Sequence, residues 1–366
     1  MSVAETRITE PVLDDENFIA EASLDIRGND LVMTWVRHRG LRHTDDGSIL
    51  FARSRDRGET WDDSSIVVAM AERPTWGFTM CGVKILRDGT ILAFAHANTE
   101  YDAADVGPLR SRGSYVARSV DGGRSWSEPE RILAWPLRTI ATWDNPIELE
   151  DGSLLLPVHG AVEGAQLHTY RDPTRSALLE SKDAGRSWHY IGTIGYDPAG
   201  IHQLMEPGVA RRGDGTMVAL MRQHYEYCGA RPPGGYLFAS HSTDTGATWS
   251  PFARTQLWGY PADPVLLSDG TVFCAYGFRG DPLSIRFAVS ADGISWALKD
   301  SGLLYDASSV PVDGPPTKHS INTGYRHIGY PSAVAMDNDE ILVAFHSFNS
   351  ERKQNVLLAK VQWRPE

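Results

Sequence analysis

Short runs of apolar and β-branched residues alternate with turn residues along the whole chain, and no long apolar stripe of helical period interrupts them, so strands are expected throughout and helices are few. The runs are entered through a repeated turn. It reads Gly28-Asn29-Asp30-Leu31-Val32, Asp88-Gly89-Thr90-Ile91-Leu92, Asp151-Gly152-Ser153-Leu154-Leu155, Asp214-Gly215-Thr216-Met217-Val218, Asp269-Gly270-Thr271-Val272-Phe273 and Asn338-Asp339-Glu340-Ile341-Leu342. Asp-Gly between two apolar runs is a strong hairpin signal, because glycine takes the left-handed backbone of a tight turn at no steric cost. Six such hairpins are present.

A second string interleaves with them. Ser54-Arg-Asp56-Arg-Gly58-Glu-Thr60-Trp61 recurs as Ser119-x-Asp121-x-Gly123-x-Ser125-Trp126, Ser181-x-Asp183-x-Gly185-x-Ser187-Trp188 and Ser242-x-Asp244-x-Gly246-x-Thr248-Trp249. A fifth copy, Ser290-x-Asp292-Gly293-Ile294-Ser295-Trp296, is one residue short. The aspartate can cap its own turn, the glycine supplies positive φ, and the tryptophan anchors the turn on a sheet. In the first five units this turn follows the hairpin by about 23 to 33 residues, which leaves room for one strand between the two turns and one after. The unit is therefore a four-stranded antiparallel meander, and six of them close a ring. The expected fold is all-β, a six-bladed β-propeller.

At 366 residues two domains could be accommodated, but the repeats run from about residue 20 to the end without a linker. One domain spanning 1–366 is expected, with 1–15 as an N-terminal extension. The net charge of -12 argues against nucleic acid, which needs a basic track. Met1 to Ala20 lacks the apolar core of a signal peptide, and no apolar run reaches the roughly 18 residues of a membrane helix. The expectation is cytoplasmic residence, or secretion if a leader has been removed, with no membrane partner. Cys81, Cys228 and Cys274 are an odd number without paired spacing, and no HExxH string occurs. No disulfide framework, metal site or cofactor is indicated.

The serine-aspartate-glycine-tryptophan turn is the Asp box, and its repetition around six hairpin units resembles the sialidase superfamily of six-bladed propellers. In that superfamily the boxes lie on outer turns, away from the pocket, so all five are expected to be structural. Chemistry is expected where each innermost strand begins and the next strand ends, since both open on one face. That rule collects Glu21, Arg37, His38 and Arg39; Thr79, Cys81, His96 and Asn98; Asp144, Asn145 and His159; Glu206 and Arg222; Asp263, Tyr276 and Arg279; Tyr330 and His346. So many polar side chains at a ring centre point to a polar funnel. Trp76, Trp143, Tyr225, Tyr227, Trp258 and Tyr260 are candidates to stack on sugar faces at its rim.

Several segments match the sialidase pattern residue by residue. Met205-Glu206-Pro207-Gly208-Val209, ending at Leu220-Met221-Arg222, resembles the segment whose Glu polarises a catalytic Tyr and whose Arg grips the substrate carboxylate. Gly329-Tyr330-Pro331-Ser332-Ala333 is similar to the segment bearing that Tyr. Tyr276-Gly277-Phe278-Arg279 resembles the source of another carboxylate-binding Arg, with Arg286 as the second choice. Arg42-His43-Thr44-Asp45-Asp46 falls where the family keeps its general acid. The resemblance thus implies Tyr330 as nucleophile, Glu206 as its base, and Asp45 or Asp46 as acid. A neutral phenol suits a sugar that carries its own carboxylate at the reacting carbon, because an anionic nucleophile would be repelled there.

One departure stands out. Sialidases open the first inner strand with Arg-Ile-Pro, whereas this chain has Ala20-Glu21-Ala22-Ser23-Leu24. Arg37, Arg39 or Arg42 could supply the missing base. The expected activity is a sialidase-like exo-glycoside hydrolase acting on a terminal acidic sugar, for which ordinary α-linked N-acetylneuraminic acid reporters are poor substrates. Two alternatives stay open: a polysaccharide lyase using a His/Tyr pair on a uronic-acid glycan, and a propeller that binds glycans without cleaving them. Oligomeric state is not legible.

Overall fold

The structure, a computed structural model, describes residues 2–9, 18–38, 47–68, 77–101, 108–162, 174–224, 235–280, 282–308, 328–337, 339–348 and 354–364. Six antiparallel sheets make six blades. Blade 1 runs outward through Phe18–Arg27, Asp30–His38, Ser48–Ser54 and Ser65–Val68, and blade 2 through Gly77–Ile85, Ile91–Tyr101, Pro108–Ser119 and Glu130–Arg131. In blade 3 the inner strand is broken into Ala141–Thr142 and Ile147–Glu148, both paired with Leu154–Gly160, and Arg175–Ser181 and His189–Gly195 follow. Blade 4 comprises Gln203–Arg211, Met217–His224, Gly235–Ser242 and Ala253–Gly259, and blade 5 comprises Ala262–Leu266, Val272–Phe278, Ser284–Ser290 and Ser301–Asp306. Blade 6 takes Gly329–Ala335, Glu340–Phe348 and Gln354–Arg364 from the end of the chain and its outermost strand, Ser2–Thr9, from the beginning. The segment read from sequence as an extension therefore contains a strand that joins the first blade's chain end to the last blade. The only helical turn among the described residues is a short one at Leu298–Asp300.

The second strands read as continuous apolar runs because both of their faces are buried. Leu31, Met33 and Trp35 turn toward Leu342, Ala344 and Leu358 of blade 6, while Val32 and Val36 turn toward Val83, Ala93 and Ala95 of blade 2. Each of the six gaps between neighbouring blades is filled by one such cluster. Burying apolar area on both faces at about 25 cal/mol per Å² is what makes a blade stable only beside its neighbours.

The five Asp boxes lie on the turns between the third and fourth strands. In the first, Ser54 Oγ donates to Asp56 Oδ1 at 2.8 Å and accepts from the Gly58 N–H at 2.8 Å, and Asp56 Oδ1 accepts from the Thr60 N–H at 2.8 Å. The Thr60 hydroxyl, which donates to Asp56 Oδ2 at 2.5 Å, joins the Thr60 N–H and the Ser54 hydroxyl in holding the Asp56 carboxyl down to about 2. The glycine is required at Gly123, where φ is 90° and a Cβ would lie 2.1 Å from the Phe51 ring. Each box drives its Trp against the gap shared with the preceding blade. Trp188 and Trp296 are fully packed there, and Trp61, Trp126 and Trp249 are half-buried against the same kind of cluster. Blade 6 has no box, and Trp363, near the end of its third strand, fills the gap to blade 5 instead.

Candidate active site

The inner strands of blades 1, 4 and 6 share an irregularity. Their ladders skip between Ala20 and Ser23, Met205 and Gly208, and Gly329 and Ser332. At each bulge a residue with a side chain is forced into the left-handed region: Glu21 at φ 51°, Glu206 at 49° and Tyr330 at 51°. The other described non-glycine residues with positive φ are Arg57, Ala184 and Thr245 in Asp boxes and Asp339 in a hairpin. Such strain costs about 1–3 kcal/mol per residue and persists where the surroundings hold it, often at functional sites. Here the surroundings are visible. The freed N–H of Glu206 donates to His159 Nδ1 and that of Glu21 to His346 Nδ1, each at 3.2 Å, and each histidine comes from the second strand of the preceding blade. A buried N–H that has left its ladder is thereby kept satisfied.

The bulges aim their side chains at one point near the axis. Tyr330 Oη donates to Glu206 Oε1 at 3.2 Å. Arg222 Nη1 reaches both carboxylate oxygens of Glu206, at 2.9 and 2.7 Å, and the Tyr330 hydroxyl at 3.2 Å. Arg279 donates from Nε to the Ile328 carbonyl at 2.9 Å and lies 5.6 Å from the centre of the Tyr330 ring. The two guanidinium groups flank Tyr260, at 4.4 and 3.9 Å from its ring centre. Trp143, in the break of blade 3, meets Tyr330 edge-on at 4.8 Å, and His346 stacks on it at 5.9 Å. Arg279 rather than Arg286 therefore belongs to this cluster, since Arg286 sits over Phe278 on the third strand of blade 5.

Electrostatics follow from burial. The Tyr330 phenol is pushed far above its usual range by desolvation and by the charge of Glu206, against the pull of Arg222 and Arg279. Burial works against the charge of Arg222, but Glu206 and the neighbouring tyrosines more than offset it and raise its basicity. His159 is lowered to about 3, first by burial and then by Arg222, so its ring is neutral and accepts the Glu206 N–H. The Glu21 carboxyl is raised well above the usual carboxylate range by burial and then by the charge of Glu206, opposed by Arg279.

Other expected site residues are placed elsewhere. Tyr276 is buried in the gap between blades 4 and 5 with Leu237, Leu257 and Cys274, because alternation along Val272–Phe278 turns it sideways rather than toward the axis. Asp144 is a staple between blades: it accepts the Val209 N–H at 2.8 Å and the Asn145 N–H at 2.7 Å. Asp263 and Asp25 do the same for the Ala333 and Ile85 N–H groups, each at 2.7 Å. These staples face a cavity of about 390 Å³ lined by the later halves of the inner strands, at the other end of the axis from Glu206 and Tyr330. His96 is buried beside Ser114 Oγ at 3.3 Å. Arg37 is half-buried opposite Ile19. Arg39, Arg42, Asp45, Asp46, Trp76, Tyr225 and Tyr227 lie outside the described residues.

Sequence reasoning found the Glu206, Arg222, Tyr330 and Arg279 cluster but not the histidine caps or the bulges. A signal for two bulges was present. Pro207 and Pro331 directly follow Glu206 and Tyr330, and a proline inside a strand marks a bulge or an edge. Among the described residues no group of three His, Cys, Asp or Glu side chains is arranged to hold a metal ion.

Residues 29–343 match the model of a family described as BNR repeat-like domain. A sialidase of Bacteroides fragilis is 23% identical over 157 residues, 42% of this chain and 25% of its own length. A sialidase of Paraclostridium sordellii is 27% identical over 176 residues, 44% of this chain and 42% of its own length. The matched segments thus span less than half of either relative. A crystal structure from Dyadobacter fermentans, described as a protein of unknown function, superposes with a TM-score of 0.75 at 20% identity, covering 99% of this chain and 100% of that one.

Proposed function

The chain belongs to the BNR repeat-like family of sialidase-like six-bladed propellers, and on that footing we propose that it is an exo-glycoside hydrolase acting on a terminal acidic sugar through Tyr330 and Glu206. The observation that carries this reading is the Tyr330 hydroxyl held 3.2 Å from Glu206 by two strained bulges on the inner strands of blades 4 and 6. In the first step the phenol oxygen bonds to the anomeric carbon, its proton passes to Glu206, and the glycosidic bond breaks toward a leaving oxygen protonated by an acid. Asp45 or Asp46 is assigned that acid role. In the second step water attacks the anomeric carbon and gives a proton back to that same carboxylate, while the departing tyrosyl oxygen recovers its own proton from Glu206. Burial keeps the resting phenol neutral, so no fixed anion opposes a carboxylated sugar until Glu206 draws the proton away. Arg279 is available to meet the sugar's anionic group, because Arg222 already spends one nitrogen on Glu206.

The same geometry favours hydrolysis over a lyase built on a His/Tyr pair. His346 stacks face-on against Tyr330 and gives its Nδ1 to the Glu21 backbone, while the phenol hydroxyl bonds to Glu206 and Arg222. The test is turnover of a panel of fluorogenic acidic and neutral glycosides by the wild type and Tyr330→Phe. A cleaved substrate whose turnover drops by orders of magnitude in the Phe variant, at unchanged melting temperature, is the expected result. Equal turnover in the two proteins would remove Tyr330 from the chemistry.

A further inference from the structure

Three side chains are presented by three bulges of the same strained kind, yet the Tyr/Glu chemistry uses two of them. Glu21 is the third. Its carboxyl-bearing residue is 4% exposed, its backbone is capped by His346, and its carbonyl receives the Cys81 thiol. Among the described residues, charged or titratable groups come to it from four blades: Glu206 with Arg222 from blade 4, Arg279 from blade 5, Tyr330 and His346 from blade 6, and Cys81 from blade 2. Glu206 and Arg222 neutralise one another as a close ion pair. Arg279 is the second guanidinium of the cluster, and Glu21 and any anion on the sugar both draw on it.

We propose that Glu21 is the specificity-determining residue of this site: it meets the anionic group of the terminal sugar as a carboxyl–carboxylate pair, so that this group binds together with one proton. The inference rests on the glycosidase reading for the presence of an acidic sugar in the funnel. Two carboxylates brought to one buried place cannot both stay ionised, and the shared proton turns a repulsion into a short charge-assisted hydrogen bond. Burial already favours the protonated form of Glu21 before any ligand arrives. A guanidinium at this place would bind a carboxylate at any pH, whereas Glu21 makes the same contact conditional on proton supply. The site then accepts an acidic sugar readily in mildly acidic medium and progressively less as pH rises, while a neutral derivative of the same sugar is indifferent to pH.

The experiment uses N-acetylneuraminic acid and its methyl ester as probes, with binding to the full chain measured by calorimetry. Wild-type affinity for the acid should fall by up to about tenfold per pH unit once pH rises far enough for Glu21 to ionise in the unliganded protein. Affinity for the ester should stay flat, and Glu21→Gln, which keeps a donor in the same place, should bind the acid without the slope. A flat profile for the acid in the wild type, no binding of the acid at any pH, or an equal slope in Glu21→Gln would overturn the proposal. Because binding is read without turnover, activity surviving in Tyr330→Phe would defeat the catalytic pair and leave these curves unchanged.

Discussion

Arg222 reaches both carboxylate oxygens of Glu206 through a single nitrogen, at 2.9 and 2.7 Å, while the residues sit on adjacent strands of blade 4 one bulge apart. The bulge is what makes this contact. It turns Glu206 out of the ladder and over toward Arg222, which pairs in register with Met205. The carboxylate thus has two duties, compensating a buried cation and receiving the Tyr330 proton.

The two duties can be separated. Glu206→Gln leaves Arg222 charged, nine-tenths buried and without its counter-ion, which should destabilise the fold by about 3–5 kcal/mol. Adding Arg222→Met removes the stranded charge, so the double variant should regain much of the lost melting temperature. Activity should be absent from both proteins. Denaturant unfolding of the four proteins of this cycle checks the coupling, and a Gln variant as stable as the wild type would show that the pair carries no stabilisation.

Trp188 offers the opposite separation. Its ring is 5% exposed in the gap between blades 2 and 3 and meets Phe94 edge-on at 6.3 Å, on the outer turn of its blade. Trp188→Ala should cost roughly 3–5 kcal/mol through the cavity it leaves. The molecules that remain folded should turn over substrate at the wild-type rate, measured below the lowered melting point. A variant that stays fully stable while losing activity would place this box in the chemistry.

The blade count was legible because it rests on turns. Asp88-Gly89 or Ser54-x-Asp56-x-Gly58 carries its own backbone geometry, whatever it packs against. The identity of Glu206, Arg222, Arg279 and Tyr330 was readable for a different reason, as the segments that carry them, such as Met205-Glu206-Pro207-Gly208 and Gly329-Tyr330-Pro331, resemble those of sialidases. What the sequence hides is the facing of side chains. Tyr276 and Arg222 both end second strands, yet one residue of phase sends Tyr276 into the gap between blades and Arg222 to the axis. Asp144 and Asp263 read as pocket residues because a polar group on an inner strand is ambiguous: it can face the funnel or staple the next blade, and only the neighbour's free N–H decides. The closing strand Ser2–Thr9 carries no repeat signal at all, since its partner Gln354–Arg364 lies at the far end of the chain.

That closing strand is testable by deletion. Removing Ser2–Thr9 exposes the N–H and C=O edge of residues 358–364 in the third strand of blade 6. The melting temperature should fall, and the protein should associate in a concentration-dependent way, because an open strand edge is a template for another chain. Addition of the deleted segment as a free peptide should reverse both effects. A truncated chain that is monomeric and as stable as the full one would show that the ring closes without it.

The staples at the far end of the axis should give the protein an unusual pH response. Burial pushes Asp144 up to about 7 despite two backbone N–H donors, and Asp263 is also raised well above the ordinary carboxylate range, by burial and then by the charge of Asp144. A carboxyl whose folded value lies above its unfolded value binds more protons in the folded state, so its contribution is complete below the ordinary carboxylate range and is lost as pH rises through about 7. The Asp-box carboxylates run the other way. Asp56 and Asp244 are held down to about 2 by hydroxyl and N–H donors, so their contribution is present above the ordinary range and lost as pH falls toward that value. Stability should therefore peak in mildly acidic medium and decline on both sides. Asp144→Asn keeps an acceptor for the Val209 N–H while removing the titration. The expected outcome is a melting temperature that no longer declines so steeply between about pH 5 and 8, with the acid limb unchanged. Identical pH profiles for the wild type and Asp144→Asn would mean that Asp144 is already ionised throughout this range and that its staple is a charged one.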